Sequence, residues 1–125
     1  MVYIQAEHLK VCVERVFTAA GVPRERALQV AESLVESNLV GHDSHGVLRV
    51  GSYIDAISSG SVDPNAESEI VRSSATTAVI DGRRGLGIIA GRKAMALAMA
   101  KAKEHDIGIV TLRNVGHTGR MGEYA

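Results

Sequence analysis

Apolar residues recur at spacings of three and four through most of the N-terminal half of the chain. Between Ala6 and Ala20, Leu9, Val13, Val16, Phe17 and Ala20 share one face, which predicts a helix stopped by Gly21. Pro23 suits the first position of a second helix, whose stripe of Ala27, Val30, Ala31, Leu34 and Val35 runs on towards Gly41. Val47, Val50, Ile54 and Ile57 predict a third, with Asp43 or Ser44 as its N-cap and its end near Ser58-Ser59-Gly60. The turn-forming run Ser61-Val62-Asp63-Pro64-Asn65 then breaks the pattern. Beyond it the period changes. Glu69 to Arg72 and Thr76 to Ile80 are short β-branched runs, the second closed by Asp81-Gly82, and predict strands forming a hairpin or lying side by side in one sheet. Helix-forming residues fill Ile88 to His105, with Ala94, Leu97, Ala98 and Ala102 as a small-residue face for packing on that sheet. Ile107 to Leu112 reads as a buried strand, and residues 113–119 as a loop leading towards another helix. The expected class is α/β, with a helical segment over residues 1–65 followed by a mixed strand and helix segment over residues 66–125.

Composition narrows the function. A chain of 125 residues that is 46% hydrophobic can bury one core. Lys and Arg together number 14, equal to Asp and Glu, and the only aromatics are Tyr3, Phe17, Tyr53 and Tyr124. Neither a basic footprint nor a stacking platform for nucleic acid follows from that inventory. Charges at Arg92, Lys93, Lys101 and Lys103 interrupt the one long apolar helix, so no membrane span is expected. The first seven residues lack the pattern of a secretory leader, and the lone Cys12, expected as a buried reduced thiol, suits a cytoplasmic protein.

Candidate chemistry concentrates in Gly41-His42-Asp43-Ser44-His45-Gly46-Val47-Leu48-Arg49. In the first turn of the expected helix, His45 would face unpaired N–H groups and the positive end of the dipole, which favours a neutral imidazole able to exchange protons near pH 7. Arg49, four residues on, would share its face and could grip a carboxylate with its planar fork. Ser44 is a cap or a hydrogen-bond donor to a bound acid. It is a poor nucleophile for His45, because neighbours at a helix start diverge by about 100°, and no Gly-x-Ser-x-Gly elbow is present. His117, between Gly116 and Gly119 at the carboxyl end of a strand, either fills a turn or meets a ligand there. A second His and an Arg near a helix start favour the ligand. His42 and His45 are three apart, but His42 precedes the expected helix and no cysteine completes a cage, so no metal site is assigned. His8 and His105 are expected on solvated helix faces. Gly85-Leu86-Gly87-Ile88-Ile89-Ala90 matches a dinucleotide fingerprint in form. The residues between strand and first glycine, and Arg113-Asn114 where a ribose-binding acid would stand, favour a tight turn with close helix packing instead.

Ser37-Asn38-Leu39-Val40-Gly41-His42-Asp43-Ser44-His45-Gly46 with Arg49 and Tyr53, Ala78-Val79-Ile80-Asp81-Gly82 to Gly85-Leu86-Gly87, Glu104-His105-Asp106-Ile107-Gly108, and Arg113-Asn114-Val115-Gly116-His117-Thr118-Gly119-Arg120 occur in that order. Together they resemble the N-terminal part of the malate/L-lactate dehydrogenase family, which also includes sulfolactate, ureidoglycolate and hydroxycarboxylate dehydrogenases and diketogulonate and cyclic-imine reductases. The resemblance implies a non-Rossmann dehydrogenase fold, incomplete here at its C-terminus. It also implies hydride transfer between NAD or NADP and a 2-hydroxy or 2-oxo acid such as malate or lactate, and a homodimer at full length. Carried over by motif, His45 and His117 are the catalytic imidazoles, and Ser44 and Arg49 bind substrate; no cofactor-binding residue is assigned. The competing expectation is a non-catalytic carboxylate-binding or interaction module, or an inactive fragment of the enzyme.

Overall fold

The computed structural model describes residues 2–125. Helix α1 spans Ala6–Ala19 and α2 spans Arg24–Leu39. Both close the same way. Gly21 (φ +89°) and Gly41 (φ +76°) take the left-handed conformation. The Val22 N–H then donates back to Phe17 O (3.1 Å) and the His42 N–H to Ser37 O (2.8 Å). This satisfies carbonyls at each helix end and turns the chain sharply. α1 buries Val13 and Phe17 against Ala27, Val30, Ala31 and Leu34 of α2, while Val16, expected on that face, is exposed.

Helix α3, Val50–Ser58, starts later than the sequence predicts. Residues 43–49 form two short 3-10 turns, Asp43–His45 and Val47–Arg49, separated by the extended Gly46. Strand β1 (Glu69–Ser73) pairs antiparallel with β2 (Thr77–Gly85) as a hairpin, with a bulge after Ile70. β2 continues past Asp81 through Arg83 and Arg84, both at positive φ. The Asp81 carboxylate accepts from the Arg83 N–H and from Arg113 and Asn114 side chains, and holds this irregular stretch. Helix α4, Gly87–His105, crosses over to β3, Ile109–Val115, which lies parallel to β2 in the order β1-β2-β3.

The core cluster runs from α1 and α2 through Tyr53 of α3 to Leu86 and Ile88 at the start of α4. Tyr53 meets Phe17 edge to face at 5.8 Å. Two expectations of burial fail. β3 is not a buried strand, for Ile109 stays 53% exposed, because in this chain β3 is a sheet edge. Cys12 is exposed too, since Val13 and Phe17 form the inward stripe of α1. His8 and His105 are on the surface as expected. The segment after β3 ends in a short 3-10 turn, Met121–Tyr124, docked through Glu123 onto Ser33 and Arg92. Among the described residues no helix is long and apolar enough to cross a membrane.

Candidate active site

The turn carrying His45 is shaped by a residue outside it. Asn38, in the last turn of α2, accepts the Val47 N–H on Oδ1 (2.8 Å) and donates from Nδ2 to the Asp43 carboxylate (2.6 Å). A Cβ on Gly46 would stand 2.2 Å from Asn38 Oδ1, so only glycine lets the turn close over the amide. Asp43 and Ser44 therefore do not cap a helix: neither side chain takes a capping bond, and the carboxylate of Asp43 is engaged by Asn38. The Ser44 hydroxyl lies 3.0 Å from His45 Nδ1. This overturns the expectation that the two diverge, which assumed α-helical geometry where the chain makes a 3-10 turn. For the same reason His45 is not at a helix N-terminus, and Arg49 does not follow it on one continuous helical face.

His117 arrives from the other half of the chain. The Gly116 N–H donates to Gly85 O (3.0 Å), pinning the end of β3 to the end of β2. The backbone of residues 116–117 then passes over Gly87, where a Cβ would stand 2.2 Å from Gly116 O and 2.4 Å from His117 O. This explains the glycine pattern at residues 85–90: its second glycine admits a neighbouring loop. Leu86 and Gly87 are buried beneath that loop, so the turn does not fit the pyrophosphate of a dinucleotide.

The loop sets the His117 ring 5.1 Å from that of His45, centroid to centroid, and His42 meets His45 edge to face at 4.6 Å. The buried Tyr53 hydroxyl is 3.0 Å from His117 Nδ1 and donates to His117 O (3.1 Å), while the Gly119 N–H donates to the same Nδ1 (3.2 Å). His117 and Arg49 line one cavity of about 180 Å³ with Ser52, Tyr53 and Ala56. The Arg49 Nε is itself buried and makes no hydrogen bond among the described residues. Burial, then the positive charges of Arg49 and His45, hold the His117 pKa below its ordinary value. Burial pushes the Tyr53 phenol well up, so it stays a neutral hydroxyl.

Three of the four residues singled out from sequence thus gather at one place, with Ser44 attached through His45. Among the described residues no three His, Cys, Asp or Glu side chains converge as a metal site. Asn38, Gly87 and the role of Tyr53 went unassigned at the sequence level. The available signals were an asparagine just before a helix-stopping glycine and a core aromatic with a polar tip.

Known proteins share this arrangement of elements. The chain is 45% identical to malate dehydrogenase of Pyrococcus horikoshii over 113 residues, which are 90% of this chain and 31% of that protein. It is 41% identical to L-sulfolactate dehydrogenase of Methanocaldococcus jannaschii, over 98% of this chain and 36% of that one. With hydroxycarboxylate dehydrogenase B of Escherichia coli K12 it shares 37% identity, over 96% of this chain and 33% of the relative. The solved structure of the Pyrococcus horikoshii malate dehydrogenase superposes with a TM-score of 0.96 at 42% identity, covering 99% of this chain and 36% of that one. The Methanocaldococcus jannaschii sulfolactate dehydrogenase gives 0.95 at 41% identity, covering 98% and 36%. The chain therefore spans about a third of the length of the curated relatives it matches. Because the family's sequence pattern matches residues 4–125, and the fold agrees with those of solved members, the chain belongs to the malate/L-lactate dehydrogenase family.

Proposed function

We propose that this chain forms the acid-binding and proton-handling part of an oxidoreductase that interconverts a 2-hydroxy acid and its 2-oxo acid. The observation that carries this reading is the shared cavity of Arg49 and His117, which brings a guanidinium and an imidazole held towards its neutral form to one small space. The names of the relatives, malate, sulfolactate and hydroxycarboxylate dehydrogenase, agree with it.

Arg49 holds the substrate carboxylate and so fixes the orientation of C2, an effect on the probability of reaction as much as on binding. In the oxidative direction neutral His117 takes the hydroxyl proton, and in the reductive direction its imidazolium returns that proton to the developing alkoxide. To exchange that proton through Nε2 the neutral ring carries its own hydrogen on Nδ1, where the Tyr53 oxygen lies 3.0 Å away. His45, stacked beside His117 and bonded to Ser44, is the second imidazole of the pair. Its proximity disfavours the charged form of His117. A cavity of about 180 Å³ suits a small acid; drug-sized ligands take roughly 300–1,000 Å³. A nicotinamide cofactor, NAD or NADP, supplies or accepts the hydride when bound. No residue of the Gly85–Ala90 turn is assigned to holding it, and the roles given to residues 44, 45, 49 and 117 concern the acid.

The test uses the protein at the length its source produces. Oxidation of NADH or NADPH dependent on a 2-oxo acid is expected, and is lost in the double variant His45→Ala with His117→Ala. Wild-type turnover in that variant, or binding of small carboxylates with no turnover in the unaltered protein, refutes the reading.

A further inference from the structure

The hydrogen bonds around His117 are not balanced between its two protonation states. In the neutral tautomer with its hydrogen on Nε2, Nδ1 offers one lone pair, and two donors face it: the Gly119 N–H at 3.2 Å and the Tyr53 hydroxyl at 3.0 Å. The hydroxyl need not compete, because His117 O lies 3.1 Å from it as a second acceptor. In the tautomer that can take a proton on Nε2, and in the imidazolium it then becomes, Nδ1 is a donor. The Gly119 N–H then opposes it, and among the described residues the Tyr53 oxygen is the acceptor that faces Nδ1. A hydroxyl donates one hydrogen and accepts through its lone pairs, so Tyr53 can give its proton to His117 O while accepting from Nδ1.

We propose that Tyr53 is a positioning residue whose hydroxyl serves as the built-in acceptor for protonated His117, keeping the ring in one orientation whichever proton state it holds. The inference rests on the acid/base role given to His117 above.

The surroundings favour such a device. Tyr53 is only 6% exposed and its ring packs edge to face on Phe17, so the hydroxyl is delivered by a rigid part of the core. Among the described residues, the groups that act on His117 electrostatically, Arg49 from the turn before α3 and then His45 from the turn after α2, both oppose its protonation. Burial first, then Tyr124 and Glu123 of the final 3-10 turn, keep Tyr53 itself neutral, with Arg49 opposing them. An imidazolium set among positive neighbours and a backbone N–H needs an acceptor, and the phenol is placed to be one.

The experiment is a pH titration of His117 in the full-length protein labelled with 15N-histidine, comparing wild type with Tyr53→Phe. Phenylalanine keeps the ring packed on Phe17 and removes only the hydroxyl. Loss of a hydrogen bond to a charged group predicts a downward shift of the His117 midpoint by about one pH unit or more. In turnover the same variant moves the low-pH limb of the oxidation profile down by a similar amount, while reduction weakens at neutral pH; returning the hydroxyl restores both. An unchanged or raised midpoint overturns the proposal. In the wild type alone, below the midpoint, the Nδ1 proton should be protected from exchange and show a nuclear Overhauser contact to the Tyr53 ring. A freely exchanging Nδ1 proton overturns the proposal without any variant. The titration needs no turnover: a protein inert towards 2-oxo acids refutes the functional reading, while the midpoint still decides the role of Tyr53.

Discussion

Gly87→Ala tests whether the site depends on the close passage of one backbone over another. The added methyl would meet Gly116 O at 2.2 Å, His117 O at 2.4 Å and His117 C at 2.6 Å, all backbone atoms with no side-chain rotamer to relieve them. An ordinary carbon contact begins near 3.4 Å. Either the loop at residues 116–117 or the first turn of α4 must retreat by about 1 Å, a displacement that for a catalytic group costs on the order of 100-fold in rate. The α4 side is fixed by Ile88, fully buried in the core, so the loop is the part that yields. Its retreat stretches the bond from the Tyr53 hydroxyl to His117 O, now 3.1 Å, beyond hydrogen-bonding range. Overpacking of this kind destabilises by about 1–3 kcal/mol. The expected outcome in the full-length protein is a lower urea midpoint and a fall in kcat/KM for a 2-oxo acid of about 100-fold, most of it in kcat. Stability and kcat both at wild-type values would refute the claim that Gly87 sets the position of His117.

Arg49→Ala should lower kcat/KM for a 2-oxo acid by about 100-fold, the scale of a lost hydrogen bond to a charged partner, and Arg49→Lys should recover little of it because the ammonium lacks the planar fork. Steady-state kinetics on the three proteins decide it, and full recovery by Lys would remove the two-point grip. Asn38→Ala leaves the Val47 N–H and the Asp43 carboxylate without their partner and should cost about 1–3 kcal/mol, read as a drop in urea midpoint. The His117 pKa lies below its ordinary 6.5 in the folded protein, so the unfolded chain binds more protons as pH falls past that value. Its contribution to stability is therefore complete above pH 6.5 and is lost as pH drops through 6.5 towards the lower folded value. His117→Gln should flatten the stability difference between about pH 7.5 and pH 5.5, measured by urea unfolding; an unaltered slope would place the titration elsewhere.

What the sequence made legible follows from how each residue acts. Helices α1, α2 and α4 and the hairpin were readable because their burial repeats at helical or strand spacing along one local stretch. The start of α3 was not. Asp43, Ser44 and the apolar residues after them have a helix-start pattern, yet Asn38 takes up the Val47 N–H and Gly46 stays extended, so the helix begins only at Val50. A helix-start rule has no access to an amide from the preceding helix. Burial of β3 was misread for a related cause. Ile-Val-Thr-Leu is the composition of an interior strand, but a strand is buried only by what covers it, and in this chain β3 is the last in the sheet.

The same division runs through the site. The roles proposed for His45, Arg49 and His117 could be read early because proton exchange and carboxylate binding demand particular side chains, and side chains are what a sequence spells out. Asn38, Gly87 and Tyr53 act on backbone atoms or on a second side chain brought from far along the chain: Val47 N–H, the carbonyls of Gly116 and His117, and the Nδ1 of His117. Gly87 is the sharpest case, since its function is the absence of a Cβ opposite a loop that only the β2-α4-β3 crossover brings there. Groups that react are recognisable by type, whereas groups that place them are recognisable only by what they touch. Substitutions of the first kind should therefore act mainly on rate and binding. Those at Gly87 and Asn38 should move rate and stability together, and that pairing separates the two roles experimentally.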